Sequence, residues 1–529
     1  MNTMKKIISI IVVFGTMLFT LPSCTLDYYP NNRTSDEHGI TTVAEMAAAL
    51  NGLHHNMRLP TGWGRHVIVL PEFVSDGANV MGATANWYFQ MEQGTYIEGA
   101  AELIETWHRL YNIIRGTINM ITNAPDLLAQ DLTVAQRNQV NSHLAAAYAI
   151  RALCHFTLAQ FFSPAYISDA NAQNQLGVVL IGDEFQNPGM PAQRATLYET
   201  FQHILADLDR AIALGNPVNR TSHYLTLNGF HAIRARVLLW MTDYEGAAEA
   251  AAEAIRLTEA RTNQTGGLAT TSAEILAQFH TTAPTSEDIL SLFTNPLESN
   301  GVNSLFVMFN ASVPSGGTGS TYGGLLSPII RMKFDDDDVR LALYRPCQSA
   351  GQVQRPVVGG DTLAPLWWNG TDSIDFTGRF RGYVGTKYHG TGVQGVMKTP
   401  ILRLPEQYLI RAEALFRTGD RAGSQDALLP IASRNPNIDA AFLTALTDEE
   451  YLQFIWDERA RELALEGFRL FDLKRTQRTI SRPGSAFGFR SAWTNWNVGE
   501  HVFPIPLAER NANPKIQPNA NWLQVRPSP

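Results

Sequence analysis

The chain has 529 residues, 45% hydrophobic and 17% charged, the composition of a globular protein with length for a large core and more than one subdomain. Lys and Arg number 41 against 49 Asp and Glu, a formal net charge of −8, and no basic run could track a phosphate backbone, which argues against a nucleic-acid partner. Three cysteines in the whole chain argue against a disulfide framework and against a thiolate metal site.

The chain opens on Lys5 and Lys6, an apolar run from Ile7 to about Leu21, and then Leu21-Pro22-Ser23-Cys24. The run is too short to span a bilayer and fits an export signal cut before Cys24, whose thiol can then be acylated, as in a bacterial lipoprotein signal. Residues 1–23 are therefore expected to leave, and 24–40, with Tyr-Pro, Asn-Asn and Ser-Asp pairs, to form a lipidated tether. Several acyl chains hold a protein to a membrane far more firmly than one.

Apolar residues at three- and four-residue spacing, many of them Ala, predict helices over 43–56, 101–124, 134–162, 196–214, 226–242 and 245–258, so that 41–258 is an N-terminal helical region. Ala235, Leu239, Tyr244, Ala247, Ala251 and Ile255 follow the small/large pattern of a tetratricopeptide helix-turn-helix, with Thr242-Asp243 at the turn. A second copy stands 177 residues later at Ala412, Phe416, Gly419-Asp420, Gly423 and Leu428. Between them, 259–400 is rich in Gly, Thr, Ser and Asn, with short apolar pieces at 289–293 and 305–309, and reads as an insertion of loops and short strands. The expected class is thus mainly α, a tetratricopeptide-like helical-repeat scaffold with a loop-rich insertion, closed by a C-terminal helical region and extended tail over 401–529.

The C-terminal region carries a series of blocks: Pro405-Glu406-Gln407-Tyr408 through Arg411-Ala412-Glu413-Ala414, Ile455-Trp456-Asp457-Glu458-Arg459-Ala460-Arg461-Glu462-Leu463, Glu466-Gly467-Phe468-Arg469-Leu470-Phe471-Asp472-Leu473-Lys474-Arg475, Phe503-Pro504-Ile505-Pro506 and Asn513-Pro514-Lys515-Ile516-Gln517. In this order they resemble the SusD/RagB family of Bacteroidetes outer-membrane lipoproteins. Ala149-Ile150-Arg151-Ala152, Gly177-Val178-Val179-Leu180 and Arg194-Ala195-Thr196 agree with it. The resemblance implies a non-enzymatic cell-surface lipoprotein that caps a SusC-like TonB-dependent barrel and delivers oligosaccharides, or in a RagB-like branch peptides. No cofactor is expected. A helical glycoside hydrolase is the rival, since it too would combine Ala-rich helices with loop tryptophans.

From spacing alone, Arg459 with Glu462 and Glu466 with Arg469 place opposite charges side by side on one helix. Interleaved arginines would keep Glu458, Glu462 and Glu466 ionised, which disfavours a general acid among them. A sugar-binding face needs loop aromatics to cover pyranose rings and amides or carboxylates to meet hydroxyls. Trp87, Tyr88, Trp367 and Trp368 are the expected stacking residues, with Asp76, Asn79 and Asn369 as polar partners, all in or beside stretches of Gly, Asn and Thr. Trp107, Trp240 and Trp456 fall within helical periodicity and are expected in the core; Trp493 and Trp496 are expected to pack near the tail. Gly390 to Gly395 match G-x-G-x-x-G but Pro400 follows, the acids 335–338 read as a helix start, and the 13 histidines form no H-E-x-x-H motif, so neither dinucleotide nor zinc-hydrolase chemistry is indicated.

Overall fold

Threonine caps open helices where the apolar spacing begins. In the computed structural model, which describes residues 39–80, 88–183, 192–216, 223–261, 267–309, 324–346, 383–483 and 491–527, Thr42, Thr133, Thr196, Thr271 and Thr447 each accept from the backbone N–H three residues on. Glu45, Gln136, Glu199, Glu274 and Glu450 reach back to close the capping boxes. The first half runs α1 (Val43–Met57), α2 (His66–Phe73), β1 (Ala78–Val80), α3 (Phe89–Gln93), α4 (Ala101–Leu128), α5 (Val134–Phe162), α6 (Asp169–Ala172), α7 (Leu197–Leu214), α8 (Leu227–Trp240) and α9 (Tyr244–Glu259). All six helices expected from periodicity are present, with ends within about one turn of the expected ones. Helix α5 is long and apolar enough to cross a membrane by length and composition, but it is buried inside the body, where it packs between α4 and α7.

The insertion contributes α10 (Ser272–Phe279), β2 (Asp288–Phe293), two 3-10 turns, α11 (Leu305–Phe309), β3 (Gly324–Leu326), α12 (Pro328–Arg331), a 3-10 turn at Val339–Leu343, β4 (Tyr344–Pro346), β5 (Tyr383–Gly385) and β6 (Lys398–Arg403). The apolar piece at 289–293 is a strand as expected. The one at 305–309 is a short helix, and α10 was foreshadowed only by its capping box at Thr271 and Glu274. Antiparallel pairing of β2 with β6 closes the insertion on itself. The chain then continues through α13 (Leu404–Arg417), α14 (Arg421–Ala432), α15 (Ala440–Ala445), α16 (Asp448–Glu462), α17 (Arg469–Arg475), β7 (Thr479–Pro483), β8 (Ala492–Asn497), α18 (Leu507–Ala512) and α19 (Trp522–Val525).

The two pattern copies, α8–α9 and α13–α14, are helical hairpins built alike. A left-handed residue turns each one, Thr242 at φ 61° and Gly419 at φ 92°, and the next aspartate caps the second helix by accepting from Gly246 N or Gly423 N. Helix α9 packs directly on α13, with Ala235, Leu239, Ala247 and Ala251 buried against Ile410 and Ala414. Copies 177 residues apart in sequence are therefore neighbours in space, and the insertion loops out between them. At the tail, Phe503 stacks on Phe161 at 5.6 Å and donates its backbone N–H to Phe161 O, laying the Pro504–Pro506 segment across the body as expected.

Two helix expectations are overturned. Arg459 and Arg469 are not on one helix: α16 stops at Glu462, left-handed Leu465 (φ 64°) and Gly467 (φ 85°) turn the chain, and α17 begins at Arg469. A Cβ on Gly467 would lie 2.9 Å from Ile68 Cα, so the turn presses against α2 too closely for a side chain. The acids at 335–338 likewise open a 3-10 turn rather than an α-helix, capped by Asp338.

Candidate functional site

Strands β1, β3, β5 and β4 form one small antiparallel sheet in that order. Segments 81–87, 310–323 and 347–382, outside the described residues, all attach to its ends. Val80 faces Gly324, so 81–87 leaves and 310–323 arrives at one end; Tyr383 faces both Leu326 and Pro346, so 347–382 leaves and returns at the other. Strands of three residues are about 7 Å long. Segment 81–87, which includes Trp87, and segment 347–382, which includes Trp367, Trp368 and Asn369, thus connect to opposite ends of a single short sheet. These four residues, like Cys24, lie outside the described residues.

The remaining expected site residues, Asp76, Asn79 and Tyr88, are among the described ones. Tyr88, left-handed at φ 60°, is buried with its ring 5.4 Å from Phe73 and edge-on to His66 at 5.9 Å. Asn79 is buried in the middle of β1, paired across with Leu325. Asp76 is buried, and both its oxygens accept from Arg469, Nε at 2.6 Å and Nη2 at 2.8 Å. All three are thus enclosed by protein, and the carboxylate of Asp76 is already taken up in a bidentate pair. Trp107, Trp240, Trp493 and Trp496 are buried, and Trp456 is half-buried, donating to Glu413 at 3.1 Å.

A buried ion-pair cluster draws its members from the insertion, from the end of β6, from the residues just past α14, and from α16 and the turn after it. Arg340 pairs with Asp338 (2.7 Å) and Glu458 (2.5 Å); Arg461 also takes Glu458 (2.5 Å). Arg403 reaches Glu287, Glu462 and Glu466 (3.0, 3.0 and 2.7 Å); Arg434 binds Glu462 at 2.7 Å and Glu287; Lys387 binds Glu466 at 2.5 Å. Burial opposes ionisation of Glu462, but Arg434, Arg403 and Arg340 outweigh it and hold its carboxylate well below the usual range. The acids of α16 are thus structural anchors, as the interleaved arginines suggested, although with different partners. Sequence spacing could not have found these partners, which are 28 to 122 residues away apart from Arg461.

Glu72 on α2 is the exception in this region. Burial pushes its carboxyl up to about 7, opposed by the N–H of Gly467 that it accepts at 2.8 Å. It lines, with Gly77, Phe468, Arg469 and Asp472, a cavity with room for little more than a water molecule. An oligomeric ligand does not fit there.

Fold and site together define a mainly helical scaffold with one small sheet, to whose ends segments 81–87, 310–323 and 347–382 connect. Residues 368–522 match the model of the SusD family, and residues 27–235 match one described as starch-binding associating with outer membrane. The chain belongs to the SusD family. It is 24% identical to SusD-like protein P2 of Formosa agariphila over 96% of this chain and 98% of that one. It is also 32% identical to the starch-binding protein SusD of Bacteroides thetaiotaomicron over 130 residues, 23% of this chain and 21% of that one. Among solved structures, a SusD superfamily protein from Bacteroides vulgatus superposes with TM-score 0.73 at 21% identity, covering 91% of this chain and 99% of the other. A SusD-like carbohydrate binding protein from the same species gives TM-score 0.69 at 19% identity, covering 90% and 97%. At these identities the structural likeness establishes the fold alone.

Proposed function

We propose that this chain is an outer-membrane lipoprotein, anchored through Cys24 on a tether of residues 24–40, that binds nutrient oligosaccharides at the cell surface and caps a SusC-like TonB-dependent barrel transporter. The observation that carries this is the match of both the first half and the C-terminal part to SusD-family models, together with relatives named for starch and carbohydrate binding. The 81–87 and 347–382 segments supply the ligand face. Trp87, Trp367 and Trp368 stack on pyranose faces, and Asn369 bonds hydroxyls. Asp76, Asn79 and Tyr88 act one layer down by holding the segment roots. The chain works as a binder and not a hydrolase, a reading supported by Glu458, Glu462 and Glu466, whose carboxylates are buried in ion pairs and so do not serve as an acid/base pair.

Purified full chain in detergent, mixed with a panel of oligosaccharides and peptides, tests this by calorimetry and product analysis. Binding of a glycan without turnover is expected, and the double substitution W367A/W368A is expected to weaken it by about tenfold or more, on the order of 1 kcal/mol per stacked ring. Peptide binding alone would transfer the chain to the peptide-binding branch. Released product would make it an enzyme.

A further inference from the structure

Helices α5 and α7 bring together three groups that no motif in the sequence joins. His203 and Asp207 stand one turn apart on α7, with His203 Nε2 3.7 Å from Asp207 Oδ2. His155 on α5 meets His203 edge-on, ring centroids 5.1 Å apart. One nitrogen of each ring and a carboxylate oxygen all lie within 4.8 Å of one another. His155 is fully buried, and Nε2 of both rings lacks a hydrogen-bond partner. Burying an imidazole nitrogen without a partner is unfavourable unless something fills the space it faces.

Around the three groups, arginines and carboxylates balance. Arg151 grips both oxygens of Asp207, Nε to Oδ2 at 2.8 Å and Nη2 to Oδ1 at 2.7 Å, and so fixes the orientation of the carboxylate as outer partners do for metal ligands. Arg210 stands 3.6 Å from Asp207, and Asp183 accepts from both Arg151 and Arg210, so these two cations are offset by two carboxylates. Donors around a tetrahedral zinc ion, with bonds of about 2.0–2.1 Å, lie about 3.3 Å apart. The His203–Asp207 spacing is already close to that. His203 is one-fifth exposed, which gives a fourth ligand, water, a way in.

We propose that His155, His203 and Asp207 bind one divalent transition-metal ion of the zinc type, clamping α5 to α7. Two imidazoles and one carboxylate favour such an ion over calcium or magnesium, which take oxygen shells. The site lies in the helical frame, away from the loop-bearing sheet, and stands or falls independently of the proposed glycan binding.

Chelator-stripped full chain titrated with Zn²⁺ by calorimetry is expected to take up one ion per chain tightly. H203Q, at the partly exposed ligand, is expected to weaken uptake by about 100-fold or more, while H55Q, at the His54-His55 pair, leaves it unchanged. X-ray absorption on the zinc-loaded parent reads the shell without any substitution, and two imidazoles with an oxygen ligand are expected. Absence of stoichiometric binding, equal affinity in H203Q, loss in H55Q, or an all-oxygen or sulfur-containing shell would each overturn the proposal.

Discussion

Glu462→Gln keeps the shape of the side chain and takes one charge out of the buried cluster. In the parent, Oε1 accepts from Arg403 Nη1 at 3.0 Å, and Oε2 accepts from Arg434 Nη1 at 2.7 Å and Arg340 Nη1 at 3.3 Å. A glutamine can retain one acceptor, but its NH2 then faces a guanidinium, donor against donor. Among the described residues, Glu287, Asp338, Glu458, Glu462 and Glu466 are matched by Arg340, Lys387, Arg403, Arg434 and Arg461, so the variant leaves one buried positive charge uncompensated. Two unit charges 4 Å apart attract by about 4 kcal/mol at the effective dielectric of a protein, and removing one partner of a buried pair costs about 3–5 kcal/mol. That is a large part of a total stability on the order of 5–15 kcal/mol.

Urea unfolding followed by tryptophan fluorescence should therefore show a much lower midpoint with an unchanged slope. Adding Arg434→Met to E462Q should recover part of the loss, with a coupling of about 0.5–3 kcal/mol. The pH dependence has a definite sign. The folded carboxyl of Glu462 is depressed, so its contribution is present above the unfolded value and is lost as pH falls through the folded one; parent and variant should converge in acid. A loss below about 1 kcal/mol at neutral pH would refute the reasoning, because an exposed or screened pair costs no more than that.

Glu72 should act in the opposite sense: its folded value, about 7, lies above the ordinary 4.5, so the folded chain holds a proton the unfolded chain has released, and stability falls as pH rises across that window. E72Q should abolish that slope, about 3 kcal/mol in all, and be the more stable protein at pH 8; identical pH profiles would contradict it. Gly467→Ala meets both a left-handed φ of 85° and the α2 backbone, whereas Gly419→Ala at φ 92° meets nothing within 4 Å. Thermal melts should show G419A costing about 1 kcal/mol and G467A more. Cys24→Ser should shift the chain from the membrane to the soluble fraction and stop incorporation of a labelled fatty acid, and continued membrane retention would count against the anchor.

Whatever is decided within one or two helical turns was legible in the amino-acid order. Apolar spacing placed α1, α4, α5, α7, α8 and α9, and the small/large pattern with an aspartate after the turn marked α8–α9 and α13–α14 as equivalent hairpins. Such signals are written locally because a helix satisfies its backbone from residues three and four positions away. Three-residue strands leave no periodicity to read, so the four-stranded sheet appeared only with the fold. The choice of charged partners was equally hidden: Glu466 and Arg469 look like a helical pair by spacing, yet the turn at Gly467 sends one to Arg403 and Lys387 and the other to Asp76. His155 and His203 likewise meet only because α5 packs on α7. Long-range pairing depends on how distant segments close around a common core, and that closure is a property of the packed chain as a whole.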